Sequence, residues 1–354
     1  MFLDICEGAY NNYQNDLRIN NAIDFSDMIN DSVQIIREMQ ENHESLKYKY
    51  IIVDEYQDIS HQRYNLTKEL SKICDAKIVA VGDDWQSIYA FSGSDITLFT
   101  EFKKNVKNDR LGCEQLYINN TYRNAQELIN IAGRFILKNN TQYVKQLKSP
   151  KNLEDPVIIY SYCDDKKKIK EQDLKNATYQ KANALQIILD RLVSENPEIL
   201  NREKGKEPIL LIGRYNFDAE RLSVGRDKTL DYDNMTEEER EAYNLFDYSK
   251  TDKRLICKKY PTLRLAFMTA HSSKGLTYDN AIIINGMNDL WGFPSKKEDD
   301  PIMDLVIKRD NSVEYAEERR LFYVALTRTS NRVFILAPET KPSEFVSELI
   351  LDKG

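Results

Sequence analysis

Apolar residues along the chain fall into two kinds of pattern. Residues 23–40, IDFSDMINDSVQIIREMQ, carry them at three- and four-residue steps, which predicts an amphipathic helix capped by Asp24 or Ser26. Residues 49–55, KYIIVDE, form a β-branched run bounded by polar residues and predict a buried strand. HQRYNLTKELSKIC (61–74) predicts another helix, KIVAVGDD (77–84) another buried strand ending at Gly82 and two acids, and NAQELINIAGRFILKN (124–139) a further helix. The later half keeps this style. PVIIYSY, PILLIGR, LRLAFMT, NAIIING and RVFILAP are strand candidates, and residues 176–195 and 314–329 are strong helices. Residues 164–176 and 218–260 are charged with weak periodicity and read as surface loops or small insertions. Helices alternating with short all-apolar strands predict α/β architecture with parallel sheets. A boundary near residues 108–116 gives two domains, 1–110 and 111–354.

Composition narrows the class. The chain has 354 residues, 41% hydrophobic and 30% charged, an ordinary balance for a water-exposed protein. No run approaches the ~18–20 apolar residues of a membrane span, so no membrane partner is expected. The start has no basic segment followed by an apolar one, which argues against a signal peptide, and the scattered cysteines point to a cytoplasmic location. Five cysteines without a CxxC pair are expected to be reduced and buried. The net charge of −7 argues mildly against nucleic acid but leaves room for a local basic groove.

Chemistry concentrates at strand ends. In open α/β sheets functional groups sit at the carboxyl ends of strands, where Asp54 and Glu55 are placed. An aspartate there can hold Mg2+ bridging nucleotide phosphates, and the adjacent glutamate can orient or deprotonate a water. Two solvated acids opening a loop is the plain alternative. In VAVGDDWQSIYAFSGSD (79–95), Gln86 could sense a terminal phosphate, and Tyr89 and Phe91 could offer faces for base stacking. The alternative is a helix with core aromatics, which their i, i+2 spacing weakens.

VDEYQD followed by VGDDWQSIYAFSGSD resembles motifs II and III of superfamily 1 DNA helicases of the UvrD/Rep type. In order, INNTYRNAQELINIA resembles motif IV, FMTAHSSKGLTYDNAIIING motif V and EERRLFYVALTRTSNRVFIL motif VI. IDFSDMI resembles the segment before motif II, and GFPSKKEDDP, ahead of motif VI, points to the helicase IV branch. The resemblance spans residues 20 to 340 and implies RecA-like (P-loop NTPase) parallel sheets, the first domain truncated and the second complete, with little or no insertion in the second. It implies ATP and Mg2+ as cofactors and single-stranded DNA, or a junction of single and double strands, as partner. Asp54 would hold the metal, Glu55 would activate water, and Gln86 would contact the γ-phosphate. Tyr122 would stack on adenine, Arg123 would reach the γ-phosphate, and Arg328 would be the arginine finger. Thr269, His271 and Lys274 would lie near DNA or the domain seam, with Tyr89 and Phe91 on the DNA side. Plain alternatives remain: Arg319, Arg320 and Arg328 could form ion pairs along a helix, His271 could brace a loop, and Lys274-Gly275 could be only a turn. Two residues depart from the pattern. Ser92 stands where a DNA-contacting arginine is common, and Thr277 where a ribose-contacting glutamate is common.

A phosphate loop would read G-x-x-x-x-G-K-[ST], and no such run occurs; the Gly205-Lys206 pair lacks the earlier glycine. Weak or no ATP hydrolysis by this polypeptide alone is expected, with an unpaired sheet edge in the first domain. Three functions stay open: the C-terminal part of an ATP-dependent DNA helicase, a non-catalytic DNA-binding or interaction module, and a subunit of a split helicase or defence complex that takes its phosphate loop from another segment or protein.

Overall fold

The apolar runs become the strands of separate parallel sheets, seen in a computed structural model that describes residues 2–105, 112–172, 175–201, 207–223, 235–249, 251, 254–297, 302 and 313–352. The chain divides into two compact units, the first running to Glu114 and the second starting at Gln115. The expected boundary at 110/111 lies outside the described residues.

The first unit opens with α1 (Phe2–Ile19) and α2 (Phe25–Glu41). Asp24, not Ser26, caps α2: its carboxylate accepts the Asp27 N–H while the Asp27 carboxylate accepts the Asp24 N–H. Helix α1 was not predicted, and its exposed face includes Ile5, Tyr10 and Ile19 rather than one buried stripe. Strands β1 (Tyr50–Val53) and β2 (Lys77–Ala80) pair in parallel, with Ile52 opposite Val79. They are joined by α3 (His61–Cys74), which Ser60 caps and Asp75 ends in the left-handed conformation. Helix α3 packs on both strands and on α2. The short helices α4 (Thr97–Thr100) and α5 (Phe102–Asn105) bring Leu98, Phe99 and Phe102 onto Tyr56 and Ile59.

The expectation of buried strands fails in this unit. Ile52 is 72% exposed, and Tyr50, Val79 and Val81 share its exposure. Successive side chains alternate between faces, so α3 shields one face, and among the described residues nothing shields the other.

The second unit matches the expected strand runs. Strands β3 (Val157–Tyr162), β4 (Ile209–Gly213), β7 (Leu265–Thr269), β8 (Asn280–Ile283) and β9 (Val333–Pro338) form one parallel sheet in the order β3-β9-β8-β4-β7. Ile209, Leu211, Ile282 and Phe334 share a core with Leu185, Ile188 and Leu189 of α8 (Ala177–Glu195). Leu210, Ile212, Ala281 and Ile335 alternate with them and are fully buried on the opposite face. There α10 (Ala316–Leu326) packs on β8, α6 (Gln126–Ile136) packs on α10, and α11 (Glu344–Leu351) joins α6. Phe135, Phe322 and Phe345 meet at 5.2–5.5 Å between these helices.

Some segments read as loops are ordered. They include α7 (Lys166–Glu171), α9 (Glu237–Tyr243) and an antiparallel pair, β5 (Phe246–Ser249) with β6 (Arg254–Cys257). Phe246, Leu255 and Cys257 of that pair are core residues, a burial that the surrounding charge hides in sequence. All five cysteines are free, but only Cys163 and Cys257 are buried, and Cys6 is exposed. Among the described residues no helix is long and apolar enough to cross a membrane.

Candidate functional site

In the first unit the acids after β1 and the amide after β2 belong to one hydrogen-bonded frame. Asp54 and Glu55 emerge exposed where β1 ends. Glu55 has the left-handed backbone (φ 49°, ψ 40°), unusual for a residue other than glycine or asparagine. The Asp54 carboxylate accepts the Glu55 N–H at 2.8 Å, and the Tyr56 N–H donates to the Val81 carbonyl at 2.8 Å, fixing the turn on both sides. Gln57, fully buried, donates from Nε2 to Glu55 Oε2 at 2.5 Å and accepts the Asp83 N–H on Oε1 at 2.9 Å. Asp83 in turn accepts the Trp85 N–H on Oδ1 at 3.1 Å and the Gln86 side-chain amide on Oδ2 at 2.5 Å. Gly82 makes room: a Cβ there would lie 2.5 Å from Gln57 Oε1 and 2.9 Å from the Phe99 ring.

The segment after β2 is two short 3-10 turns, Asp84–Gln86 and Ala90–Ser92, rather than a continuous helix. Trp85 is buried and anchors it, while Phe91 is 58% exposed and Tyr89 is half-buried with its ring 5.9 Å from Phe91. Burial, followed by the charges of Asp58 and Glu55, raises the Tyr89 hydroxyl above its usual range.

The other expected site residues lie in the second unit. Tyr122 is 72% exposed, and Arg123 beside it is half-buried with its carbonyl accepting Lys151 Nζ at 3.1 Å. The neighbouring Asn124 is buried and donates to the Thr329 carbonyl at 2.6 Å, tying this segment to the turn after α10. Thr269 ends β7; its hydroxyl meets Ser272 Oγ at 3.0 Å and accepts the Ser272 N–H. His271, Lys274 and Gly275 form the following turn, with Gly275 at φ +81°. His271 is pushed down to about 4, first by burial and then by the nearby Arg214 guanidinium, so it is neutral at physiological pH. Arg328 is 1% exposed, and its guanidinium donates to the Val324 carbonyl at 2.9 Å, to the Leu276 carbonyl at 3.4 Å and to the Thr327 hydroxyl at 3.2 Å. Arg319 is ion-paired, but to Glu348 of α11 rather than along its own helix, bonding both carboxylate oxygens at 2.6 and 2.9 Å.

Sequence reading passed over two features. One is Gln57, two residues beyond Glu55. The other is a charged cluster at the carboxyl end of β4. There Arg214 holds Glu318 of α10 through bonds of 2.6, 3.1 and 3.2 Å. Glu318 Oε2 also accepts the Ser295 N–H at 2.9 Å, and Ser295 Oγ meets the Tyr215 hydroxyl at 2.7 Å. Burial alone would lower the Arg214 pKa, yet Glu318 outweighs it and holds the guanidinium above its usual value. The signal was a charged residue directly after the apolar run ILLIG.

A magnesium ion suits Asp54, because this hard cation takes one or two carboxylates and completes its shell with phosphate oxygens and water. Among the described residues no group of three His, Cys, Asp or Glu could hold a metal by itself, so such an ion would depend on a nucleotide.

Comparison with known proteins follows the same division. The UvrD/REP helicase N-terminal domain matches residues 3–107, and the UvrD-like helicase C-terminal domain matches residues 226–340. DNA helicase IV of Escherichia coli is 30% identical over 334 residues, covering 94% of this chain and 40% of that protein. A probable DNA helicase of Mycoplasma pneumoniae is 26% identical over 327 residues, covering 92% of this chain and 50% of that protein. The chain therefore spans half or less of the length of these relatives. The crystal structure of the C-terminal domain of a possible DNA helicase from Lactobacillus plantarum shares 14% identity at a TM-score of 0.32, covering 65% of this chain and 94% of that one, and at that level adds nothing to the fold.

Proposed function

From the UvrD/Rep-type superfamily 1 helicase domain architecture that this chain carries, we propose that it is the C-terminal part of an ATP-dependent DNA helicase, a translocase that couples Mg-ATP hydrolysis to movement on single-stranded DNA. The observation that carries this reading is the frame joining Asp54 and Glu55 to Gln86 through Gln57 and Asp83. A non-catalytic module gains nothing from acids and an amide held in fixed relation around a site for a transferring phosphoryl group.

Mg-ATP, when bound, supplies the phosphoanhydride whose terminal phosphoryl group passes to water. Asp54 would hold the magnesium ion that neutralises phosphate charge. Glu55 orients the attacking water and takes its proton, and its exposure leaves the carboxylate accessible to that water. Gln86 contacts the γ-phosphate. Tyr122, with an exposed ring, stacks on adenine. Arg123 and Arg328 neutralise charge on the transferring group, a contribution that reaches roughly 10³–10⁵ in rate for an arginine finger. Arg328 would do so with guanidinium N–H groups that in this structure donate to the Val324 and Leu276 carbonyls and to the Thr327 hydroxyl. Tyr89 and Phe91 take single-stranded bases, and Thr269, His271 and Lys274 serve the DNA side of the second unit. His271 acts there as a neutral hydrogen-bonding group rather than as a phosphate-binding cation.

The phosphate cradle comes from a segment outside this sequence, either upstream in the same protein or in a partner chain. The absence of a G-x-x-x-x-G-K-[ST] run supports that, and so does the apolar face of β1 and β2 that nothing among the described residues covers, since parallel sheets are normally covered on both faces. The chain alone is then weakly active or inactive. A cytoplasmic location fits this function.

The test is the affinity for a fluorescent single-stranded oligonucleotide, measured with and without Mg-ATPγS, for the chain joined to its phosphate-loop segment. A helicase part shifts its affinity when the nucleotide binds, and Arg123→Ala abolishes the shift. Affinity that ignores nucleotide in the joined protein favours the non-catalytic module.

A further inference from the structure

Gln57 uses both ends of its side chain while excluded from water. The amide nitrogen faces the Glu55 carboxylate at 2.5 Å, and the amide oxygen faces the Asp83 N–H at 2.9 Å. The opposite orientation would set oxygen against carboxylate and N–H against N–H, so the neighbours define which way the amide points. A polar group buried this deeply is costly unless both ends are satisfied, and an apolar side chain of the same length would fill the space without that cost. The place therefore asks for an amide, not merely for volume. The backbone carbonyl of Gln57 also accepts the Ser87 hydroxyl at 3.1 Å, a second tie to the segment after β2. Gly82 preserves the arrangement, because a side chain there would meet Gln57 Oε1 first.

We propose that Gln57 is a positioning residue that locks the Glu55 carboxylate to the Asp83–Gln86 turn, so that the acid after β1 and the amide after β2 respond as one unit. The proposal rests on the reading of Glu55 and Gln86 as groups that face the terminal phosphate. A charge at Glu55 polarises the Gln57 amide, which strengthens its acceptance of the Asp83 N–H, and the Asp83 carboxylate in turn holds the Gln86 amide. A change at the water-orienting acid is thereby felt at the phosphate-contacting amide, and the reverse. Gln57 itself touches no substrate.

The link is read by NMR on this chain, without nucleotide or DNA, so its outcome is independent of whether the chain hydrolyses ATP. Glu55→Gln removes the charge at the start of the path, and the backbone N–H of Asp83 and the side-chain NH2 of Gln86 report at its end. Both signals are expected to shift. In a Gln57→Met background the same Glu55→Gln change is expected to leave them in place, although Met fills the volume. Gln57→Leu provides the second test if Gln57→Met does not fold, with the same loss of transmission expected. A residue with a purely structural role would alter stability without altering transmission. Signals that ignore Glu55→Gln in the wild-type background, or that move equally with Met at position 57, overturn the proposal. Failure of the helicase reading would instead appear as nucleotide-indifferent DNA affinity with this link intact.

Discussion

Acidification should weaken the second unit through His271 by an amount that can be worked out. In the folded chain this imidazole is pushed down to about 4 by burial and by Arg214, against an ordinary value of 6.5. The unfolded chain therefore binds a proton that the folded chain refuses. The stability this neutral histidine represents is complete above pH 6.5 and is lost as pH falls from there through about 4. Each tenfold loss of proton affinity is equivalent to about 1.4 kcal/mol, so the ceiling is roughly 3 kcal/mol, and about 2.5 kcal/mol is lost between about pH 7.5 and pH 4.5. Carboxylates titrate in the same range, so the measurement compares wild type with His271→Asn. Hydrogen exchange of amides in β7 and β8, corrected for intrinsic rates, reads the opening of this unit alone. The difference in stability between the two proteins should change by about 2 to 3 kcal/mol across that window, in favour of the variant at the acid end. Parallel curves would refute the reasoning and mean that His271 is solvated or paired with an anion.

Other expectations are as specific. Gly82→Ala puts a Cβ 2.5 Å from Gln57 Oε1 and 2.9 Å from Phe99, and should cost about 1–3 kcal/mol in urea unfolding of the first unit; no loss would mean Gln57 is not held where it is seen. Arg214→Met strands Glu318, whose pair is only 16% and 17% exposed, and should destabilise the second unit by roughly 2–4 kcal/mol, with Glu318→Gln in the same chain recovering part of it. Ile52→Lys on the bare sheet face should stay within about 0.5 kcal/mol of wild type, whereas a large loss would show that this face is covered in solution. Phe91→Ala should weaken single-stranded DNA binding by about 1–3 kcal/mol with little change in the salt slope, since stacking releases no counterions.

Much of the second unit was legible because its strands are uninterrupted apolar runs covered on both faces, so that ILLIG and NAII could hardly be anything else. The β5–β6 pair was not, because only Phe246, Leu255 and Cys257 point inward among charged neighbours. Helix α1 was passed over although Ile5, Cys6, Ala9, Tyr13 and Leu17 recur at three- and four-residue steps, and in the fold Ile5 and Tyr13 of that stripe stay exposed. The candidate site residues could be named from the sequence, and their hydrogen-bond partners could not. Asp54, Glu55 and Gln86 stand out by type and position, but the connection between them runs through Gln57 and the Asp83 N–H, and no spacing rule predicts a bond across twenty-six residues. The same holds for Arg214 and Glu318, which are 104 residues apart. Arg328 was singled out as a candidate by its motif, but its burial against the Val324 and Leu276 carbonyls depends on packing that only the fold supplies.

The most direct test of the central claim is ATP turnover by the purified chain, with and without single-stranded DNA, alongside Glu55→Gln and alongside the chain joined to its phosphate-loop segment. The account predicts little or no turnover alone, and DNA-stimulated turnover in the joined protein that Glu55→Gln abolishes. DNA-stimulated turnover by the chain alone, also abolished by Glu55→Gln, would contradict it and mean that the phosphates are held by an element within these 354 residues.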